Sequence, residues 1–479
     1  MPAVGSKPST LPRVLRRFAL FAVAFSIVSI TTGIFVNYGY GLTQLGPAAV
    51  WLWPVVVVGQ FLLTLVLAEL AGHVPLAGAA YQWAARLVGP RFGYVVGALG
   101  IVYTAVGVPG IMLVGMAPLV ATVLGLDTSN GRLLVFVAVV AVLVAYLLNI
   151  VRVQLAAQVN NVAVFAEIIG TVVLSVVVFA AWVQAGPTPD GGHGFGFLFT
   201  VSTDQPIAAA LVGGALVGIF TLVGFEAAAD LGEEAVDARR SVPRAMIASV
   251  LVSGVLGMVA LVGFTLAIPD LPAVTASPVP LATIAEYWLG AAATNVFLAV
   301  VAFSMFALAV VAAAAGSRLL FAMARDGMLP FSTVLARINS TTGTPLPALV
   351  ASLVLCLALL GFGAAFGDAF GVLVGATAIV PYLIYLLTLG AYVGRRRRIV
   401  DAGDGGFRLG AAGLPIAVAA LVWILAVTLA LTTSDAFYGA DAVILGALVL
   451  AGIWYVAVVH RKLAEGTAGI VTPDSEEAR

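Results

Sequence analysis

Long apolar runs alternate with short polar segments along the whole chain, and each run is close to the roughly 20 residues that carry a helix across a bilayer. Twelve such runs are read, at residues 18–45, 48–71, 93–124, 133–150, 157–184, 207–232, 245–268, 295–324, 347–362, 369–393, 412–433 and 440–460. The third and eighth exceed a minimal crossing, so they are expected to tilt or protrude. This pattern predicts an all-α integral membrane protein of about twelve transmembrane helices. The chain divides into an N-terminal tail at 1–17, one membrane domain at 18–460 and a C-terminal tail at 461–479.

Composition agrees. Of the 479 residues, 62% are hydrophobic and 9% charged, against about 25% charged in soluble proteins. So large a deficit cannot be hidden in one core, and the outer surface must be apolar too. Net charge is zero, which favours no acidic partner, and no basic domain is large enough for nucleic acid.

The placement of charge tests the count. With the N-terminus inside, cytoplasmic segments hold Arg86, Arg91, Arg152, Arg239, Arg240, Arg244, Arg325, Arg337, the run Arg395 to Arg398, Arg461 and Lys462. External segments hold Asp190, Asp204, Asp270, Asp368, Asp435 and Asp441, with Arg132 the basic exception. This is the asymmetry of the positive-inside rule, and one missed helix would invert it downstream. Both termini are therefore expected in the cytoplasm of a cell whose plasma membrane holds the protein. Arg13, Arg16 and Arg17 precede a long apolar run without a cleavage site, so the first helix is expected to be retained.

Little points to catalysis. The single cysteine, Cys356, excludes a disulfide framework. His73, His193 and His460 are far apart in sequence and suggest no metal site. No cofactor motif, nucleophile–base pair or loop large enough for a catalytic domain is seen, including the longest external loop at 185–206. A channel would need a repeated filter motif, and none is present.

Two runs differ chemically from the others. The first contains SIVSITTGIFVNYGYG, where Ser26, Ser29, Thr31, Thr32, Gly33 and Asn37 interrupt it. The sixth, GIFTLVGFEAAADLGEE, gathers Gly218, Thr221, Gly224 and Glu226. Glu226 facing lipid would cost at least about 2.5 kcal/mol, so it must face a cavity or a partner. Interrupted helices five apart point to a transporter built from inverted repeats. Bared N–H groups at such a break attract a carboxylate, and bared carbonyls attract an ammonium or a metal cation. Gly33 alone fits helix packing equally well.

At these residues the chain resembles the amino acid–polyamine–organocation superfamily of permeases, within it the amino acid/choline branch. TTGIF, AELAGHVPLAGAAYQWA, GFEAAADLGEEAVDARRSVPRAM and GSRLLFAMARDGMLP with TPLPALV match that family's motifs in order, over residues 20–350. The resemblance implies a LeuT-type fold, with inverted repeats at 18–185 and 207–393 and two further helices at 411–460. It implies a substrate site between helices one, three, six and eight, drawn from Thr31, Thr32, Gly33, Ile34, Phe220, Thr221, Val223, Gly224 and Glu226. The substrate carboxylate would sit on the N–H groups of Thr32, Gly33 and Ile34. Its amine would meet carbonyls at Phe220, Thr221 and Val223, with Phe220 as an aromatic gate.

The fifth helix departs from the family. VNNVAVFAEIIG places Glu167 where many relatives carry lysine. Two roles stand for it: a proton or cation coupling site, or a structural glutamate hydrogen-bonded to Ser or Asn neighbours such as Asn160 or Asn161. Asp230, Glu233 and Glu234 lie near Arg239, Arg240 and Arg244 in sequence, as an inner gate or as a solvated face. Glu69 is expected to cap or pair with a loop arginine, and Arg395–Arg398 to fix topology beside anionic lipid. The expected partners are a small amino acid or amine and a proton, with sodium as the lesser choice. GABA, neutral or basic amino acids, choline, ethanolamine and polyamines stay open, and so does exchange. Acidic amino acids lack a countercharge.

Overall fold

The computed structural model describes residues 11–185, 194–277, 279–400, 406–434, 437 and 439–470. Asp190, His193, Asp435 and the outer parts of both tails lie outside these residues. All regular structure among the described residues is helical, apart from one isolated bridge between Leu15 and Ala235.

The first crossing is split into α1 (Arg17–Val28) and α2 (Ile30–Leu45), and a 3-10 turn at Gly46–Trp51 leads into α3 (Leu52–His73). A short helix, α4 (Ala79–Leu87), precedes α5 (Pro90–Gly110), which runs through a π turn at Ile111–Met116 into α6 (Ala117–Val123). Then come α7 (Gly131–Val151) and α8 (Val153–Ala185). The sixth crossing is again split, into α9 (Ile207–Thr221) and α10 (Ala227–Asp230). It is followed by α11 (Ala238–Leu266), the short α12 (Leu271–Ala276), α13 (Pro280–Arg325) and α14 (Ser332–Leu335). The chain ends with α15 (Leu346–Ala365), α16 (Gly367–Arg395), α17 (Arg397–Val400), α18 (Gly413–Thr432), α19 (Ala440–Trp454) and α20 (His460–Ala464).

Among the described residues, ten helical stretches are long and apolar enough to cross a membrane. The first, Arg17–His73, has 57 residues, more than two crossings require. It reverses at the 3-10 turn, since Leu15 and Glu69 both lie at the arginine-rich end. The shorter apolar α9 forms one broken crossing with α10. Read so, the twelve expected crossings are all there. Of the two overlong runs, the third contains Pro109 and the π turn. The eighth is one continuous helix through 295–324, and the bend at Gly290 that sets off a preceding arm lies just before it.

The bundle has two distinct ends. At one, Ala48 and Ser202 N–H groups bond Thr200 and Leu45 carbonyls, and Trp51 Nε1 bonds the Leu198 carbonyl at 3.0 Å. At the other, Arg395 and Arg398 donate to the carbonyls of Val88 and Leu87. There the Val14 and Leu15 N–H groups also reach the Glu234 carbonyl at 2.9 Å. Arg325, Arg395, Arg396 and Arg398, assigned to one side from sequence, meet at this second end. The helix α4 was not foreseen. It buries Tyr81, Gln82 and Trp83 under that end, with Trp83 Nε1 on the Val74 carbonyl at 3.0 Å.

Large apolar side chains stay exposed on the outer helices, such as Leu450 at 70% and Phe136 at 65%. A water-soluble protein does not leave a surface of this kind bare. Here the lipid solvates it, so the protein is a multi-pass membrane protein.

Candidate functional site

Both breaks in the helices arise from local chemistry. Ser29 takes a left-handed conformation, φ 34°, that ends α1. Its hydroxyl then caps α2, accepting from Thr32 N–H at 3.4 Å. Thus Ser29 makes the break, while Gly33 sits one turn inside α2, its N–H bonded to the Ser29 carbonyl at 2.9 Å. A Cβ at Gly33 would overlap the Thr221 side chain. Its glycine is therefore explained by the close approach of α2 to α9.

The second break unwinds residues 222–226. In an unbroken helix the Gly224 N–H would bond the Phe220 carbonyl, but here it donates to the Tyr385 hydroxyl at 3.1 Å. The same hydroxyl donates to the Glu226 carboxylate, 2.7 and 2.9 Å from its two oxygens. Gly224 has φ +82°, and a Cβ there would also strike Ile27 of α1. Gly224→Ala is expected to cost about 1–2 kcal/mol in backbone strain, besides the steric clash. The transport that the resemblance implies should fall at least about tenfold, while Gly390→Ala, which meets nothing within 4 Å, should leave it unchanged. Wild-type transport by Gly224→Ala would show that the unwound segment tolerates an ordinary side chain.

Between the two breaks lies a cavity of about 460 Å³. Thr32, Gly33, Phe220, Val223, Gly224 and Glu226 line it. Thr31, Ile34 and Thr221 are buried beside it and do not form its wall. Further wall comes from Tyr103 of α5, the π turn, Met305 and Ala312 of α13, and Thr377 and Tyr382 of α16. Four of these walls match helices one, three, six and eight. The fifth, α16, was missed, although Tyr382 and Tyr385 just after Pro381 were a visible polar interruption of an apolar run. Phe220 packs on Phe437 with ring centroids 5.5 Å apart at the rim. Asp230 faces the same cavity as Glu226, and among the described residues no lysine, arginine or histidine lines it.

Glu167 is 1% exposed and not part of that wall. Its Oε1 accepts from the Thr31 N–H at 3.1 Å and the Thr31 hydroxyl at 3.0 Å, and the Ser29 hydroxyl lies 3.1 Å away. A serine is thus among its partners, as the structural alternative allowed, whereas Asn160 and Asn161 are not. The carboxylate grips the first break from behind.

Ion pairs tie separate segments together at the arginine-rich end. Glu234 pairs with Arg318 at 2.7 Å, both side chains at most 1% exposed. Glu233 takes both terminal nitrogens of Arg325, at 2.9 and 3.1 Å. These partners come from α13, not from the Arg239–Arg244 segment suggested by sequence proximity. Glu69 binds Arg396 at 2.9 and 3.0 Å and accepts from Tyr392 and from the Leu409 N–H. Bonding to Glu69 pushes Arg396 above its ordinary pKa. One member of the arginine run therefore has a structural partner as expected for Glu69, beyond any effect on topology.

The family model described as "Amino acid permease" matches residues 15–457. Amino-acid permease BAT1 of Arabidopsis thaliana is 26% identical over 87% of this chain and 85% of its own length. The GABA-specific permease of Saccharomyces cerevisiae is 28% identical over 72% of this chain and 62% of its own. The thiamine transporter thi9 of Schizosaccharomyces pombe is 27% identical over 74% and 68%.

Proposed function

The chain belongs to the amino acid permease family, and from that premise we propose that it imports an amino acid or a related small amine by alternating access, driven by protons. It is a transporter of amino acids and not an enzyme. In this proposal residues 18–185 and 207–393 are inverted repeats of a LeuT-type fold, the protein lies in the plasma membrane, and its arginine-rich end and both termini face the cytoplasm.

The Thr31 and Gly33 N–H groups are already bonded to Glu167 and to the Ser29 carbonyl, so a substrate carboxylate at the α1–α2 break would bind by taking the Thr32 N–H from its longer bond to the Ser29 hydroxyl. The substrate's amine would bind at the unwound segment, near the Phe220 carbonyl released by Gly224. Phe220 would close the rim. Glu226 and Asp230, with no basic residue among the described residues of the wall, suit a positively charged nitrogen and disfavour an acidic side chain. GABA and thiamine, named by two relatives, each carry such a nitrogen.

The coupling proposal rests on one observation, the hydrogen bonds of Glu167 to Ser29 and Thr31 at the first break. An ionised carboxylate only accepts, and its charge strengthens those bonds; a protonated one accepts weakly and must place its own O–H. Proton binding would therefore change how firmly α8 holds the broken helix that lines the cavity. The test is uptake of labelled alanine, GABA, lysine, glutamate, choline and putrescine in a transport-deficient cell, with and without a protonophore. Accumulation of an uncharged-side-chain or cationic member should collapse with the protonophore. Sodium-dependent accumulation that persists would remove the proton from the mechanism.

A further inference from the structure

The buried face of α8 carries four polar side chains in register, Asn160, Glu167, Thr171 and Ser175. At 3.6 residues per turn they fall within about 80° of one another, and none is more than 7% exposed. The helix α8 packs against α13, α11, α1 and α7. None of the four lines the substrate cavity.

Glu167 spends one oxygen on the α1–α2 break. The other three side chains carry buried atoms without a hydrogen-bond partner: both amide atoms of Asn160, Thr171 Oγ1 and Ser175 Oγ. Buried polar groups in proteins are nearly always bonded, so a run of orphans on one helix face calls for a cause. The usual local solution is available and unused. Helical Thr64 and Thr428 bond their hydroxyls back to the carbonyls of Gln60 and Ile424, both at 2.7 Å. Thr171 and Ser175 do not. Spacing supplies the cause. With a rise of 1.5 Å per residue, Thr171 lies about 6 Å along the axis from Glu167, and Ser175 about 6 Å further. One water making two hydrogen bonds of about 2.8 Å spans such a step. Asn160 lies about 10 Å away in the other direction, a two-water step.

We propose that this stripe is the proton route to Glu167, a file of water held by Ser175 and Thr171 on one side of the carboxylate and by Asn160 on the other. The inference rests on Glu167 as the coupling group and adds its path, which is separate from the path of the substrate. A proton entering at Ser175 passes along hydroxyl and water, each accepting one proton and releasing one, until it forms the O–H of Glu167. The same proton leaves through the water anchored by Asn160, whose amide holds that water and does not itself relay.

The experiment uses the full chain in liposomes, with labelled alanine or the solute taken up fastest in the panel above. Two rates are read, accumulation driven by an imposed proton gradient and counterflow from preloaded vesicles without one. Thr171→Val combined with Ser175→Ala keeps side-chain bulk and removes both hydroxyls. Accumulation should slow about tenfold or more with counterflow within about twofold of wild type, and Thr171→Ser, which keeps the hydroxyl, should accumulate normally. Ser175→Ala alone, a small change in any helix, should slow accumulation relative to counterflow. Equal rates for wild type and the double variant, with Glu167→Gln inactive in accumulation, would overturn the file and leave Glu167 in place. Normal accumulation in both the double variant and Glu167→Gln would overturn the file and the coupling role together. Equal slowing of both rates by Ser175→Ala would overturn the file as well.

Discussion

Glu167→Gln should reduce concentrative uptake to equilibration. Glutamine has nearly the same shape and still accepts from Thr31 through its carbonyl oxygen, so the α1–α2 break keeps a partner. What disappears is exchange of a proton between two states of one side chain. One elementary charge moving through 100 mV is worth about 2.3 kcal/mol, which corresponds to an accumulation ratio of about 50. The ratio should therefore fall from this order to one, while the variant still reaches the membrane at wild-type abundance. The measurement is the steady-state ratio of internal to external labelled solute at fixed potential. A ratio unchanged from wild type would leave Glu167 as a purely structural tie.

The second large effect concerns stability. Arg318 and Glu234 form a buried pair 2.7 Å apart, linking α13 to the segment after α10. Removing one partner leaves the other charge without compensation in a low-dielectric site, at a cost of about 3–5 kcal/mol. Arg318→Met should therefore lower the thermal midpoint in detergent sharply and reduce membrane abundance. Arg318→Met with Glu234→Gln should recover much of the loss, because neither charge then remains. The pair is not perfectly satisfied, since Arg318 Nη2 and Glu234 Oε2 carry no partner, which places the loss toward the lower end of that range. Independent, additive losses under about 1 kcal/mol would mean that the contact does not hold this end together.

Several features of the site were legible beforehand. The small and hydroxyl residues around Ser29 and Gly33, and the glycine and glutamate around Gly224 and Glu226, are dense polar interruptions in long apolar runs. Such interruptions survive in a membrane only where the backbone is buried or lines a cavity, so both breaks could be placed within a few residues. Which residue makes each break was less clear. Gly33 looked like the natural weak point, yet Ser29 bends the chain and Gly33 admits Thr221. A glycine needed for a positive φ and one needed for a neighbour's bulk read alike in a single sequence. The same ambiguity hid Tyr385, whose role depends on facing the Gly224 N–H across 161 positions of chain.

The sequence by itself determined the class of the molecule, the number of crossings, the two broken helices and the gathering of arginines at one end. These follow from local quantities: run length against bilayer thickness, the cost of polar groups in lipid, and the charge of short loops. Only the tertiary structure decided who meets whom. It brought Glu167 to Ser29 and Thr31 where Asn160 and Asn161 were the near neighbours, gave Glu233 and Glu234 to α13, added α16 to the cavity wall and turned Asp230 toward the space shared with Glu226. Helix–helix contacts in a membrane are set by shape, small residues and a few hydrogen bonds between distant segments. The apolar faces that would encode such pairing in water are absent, because nearly every face is apolar.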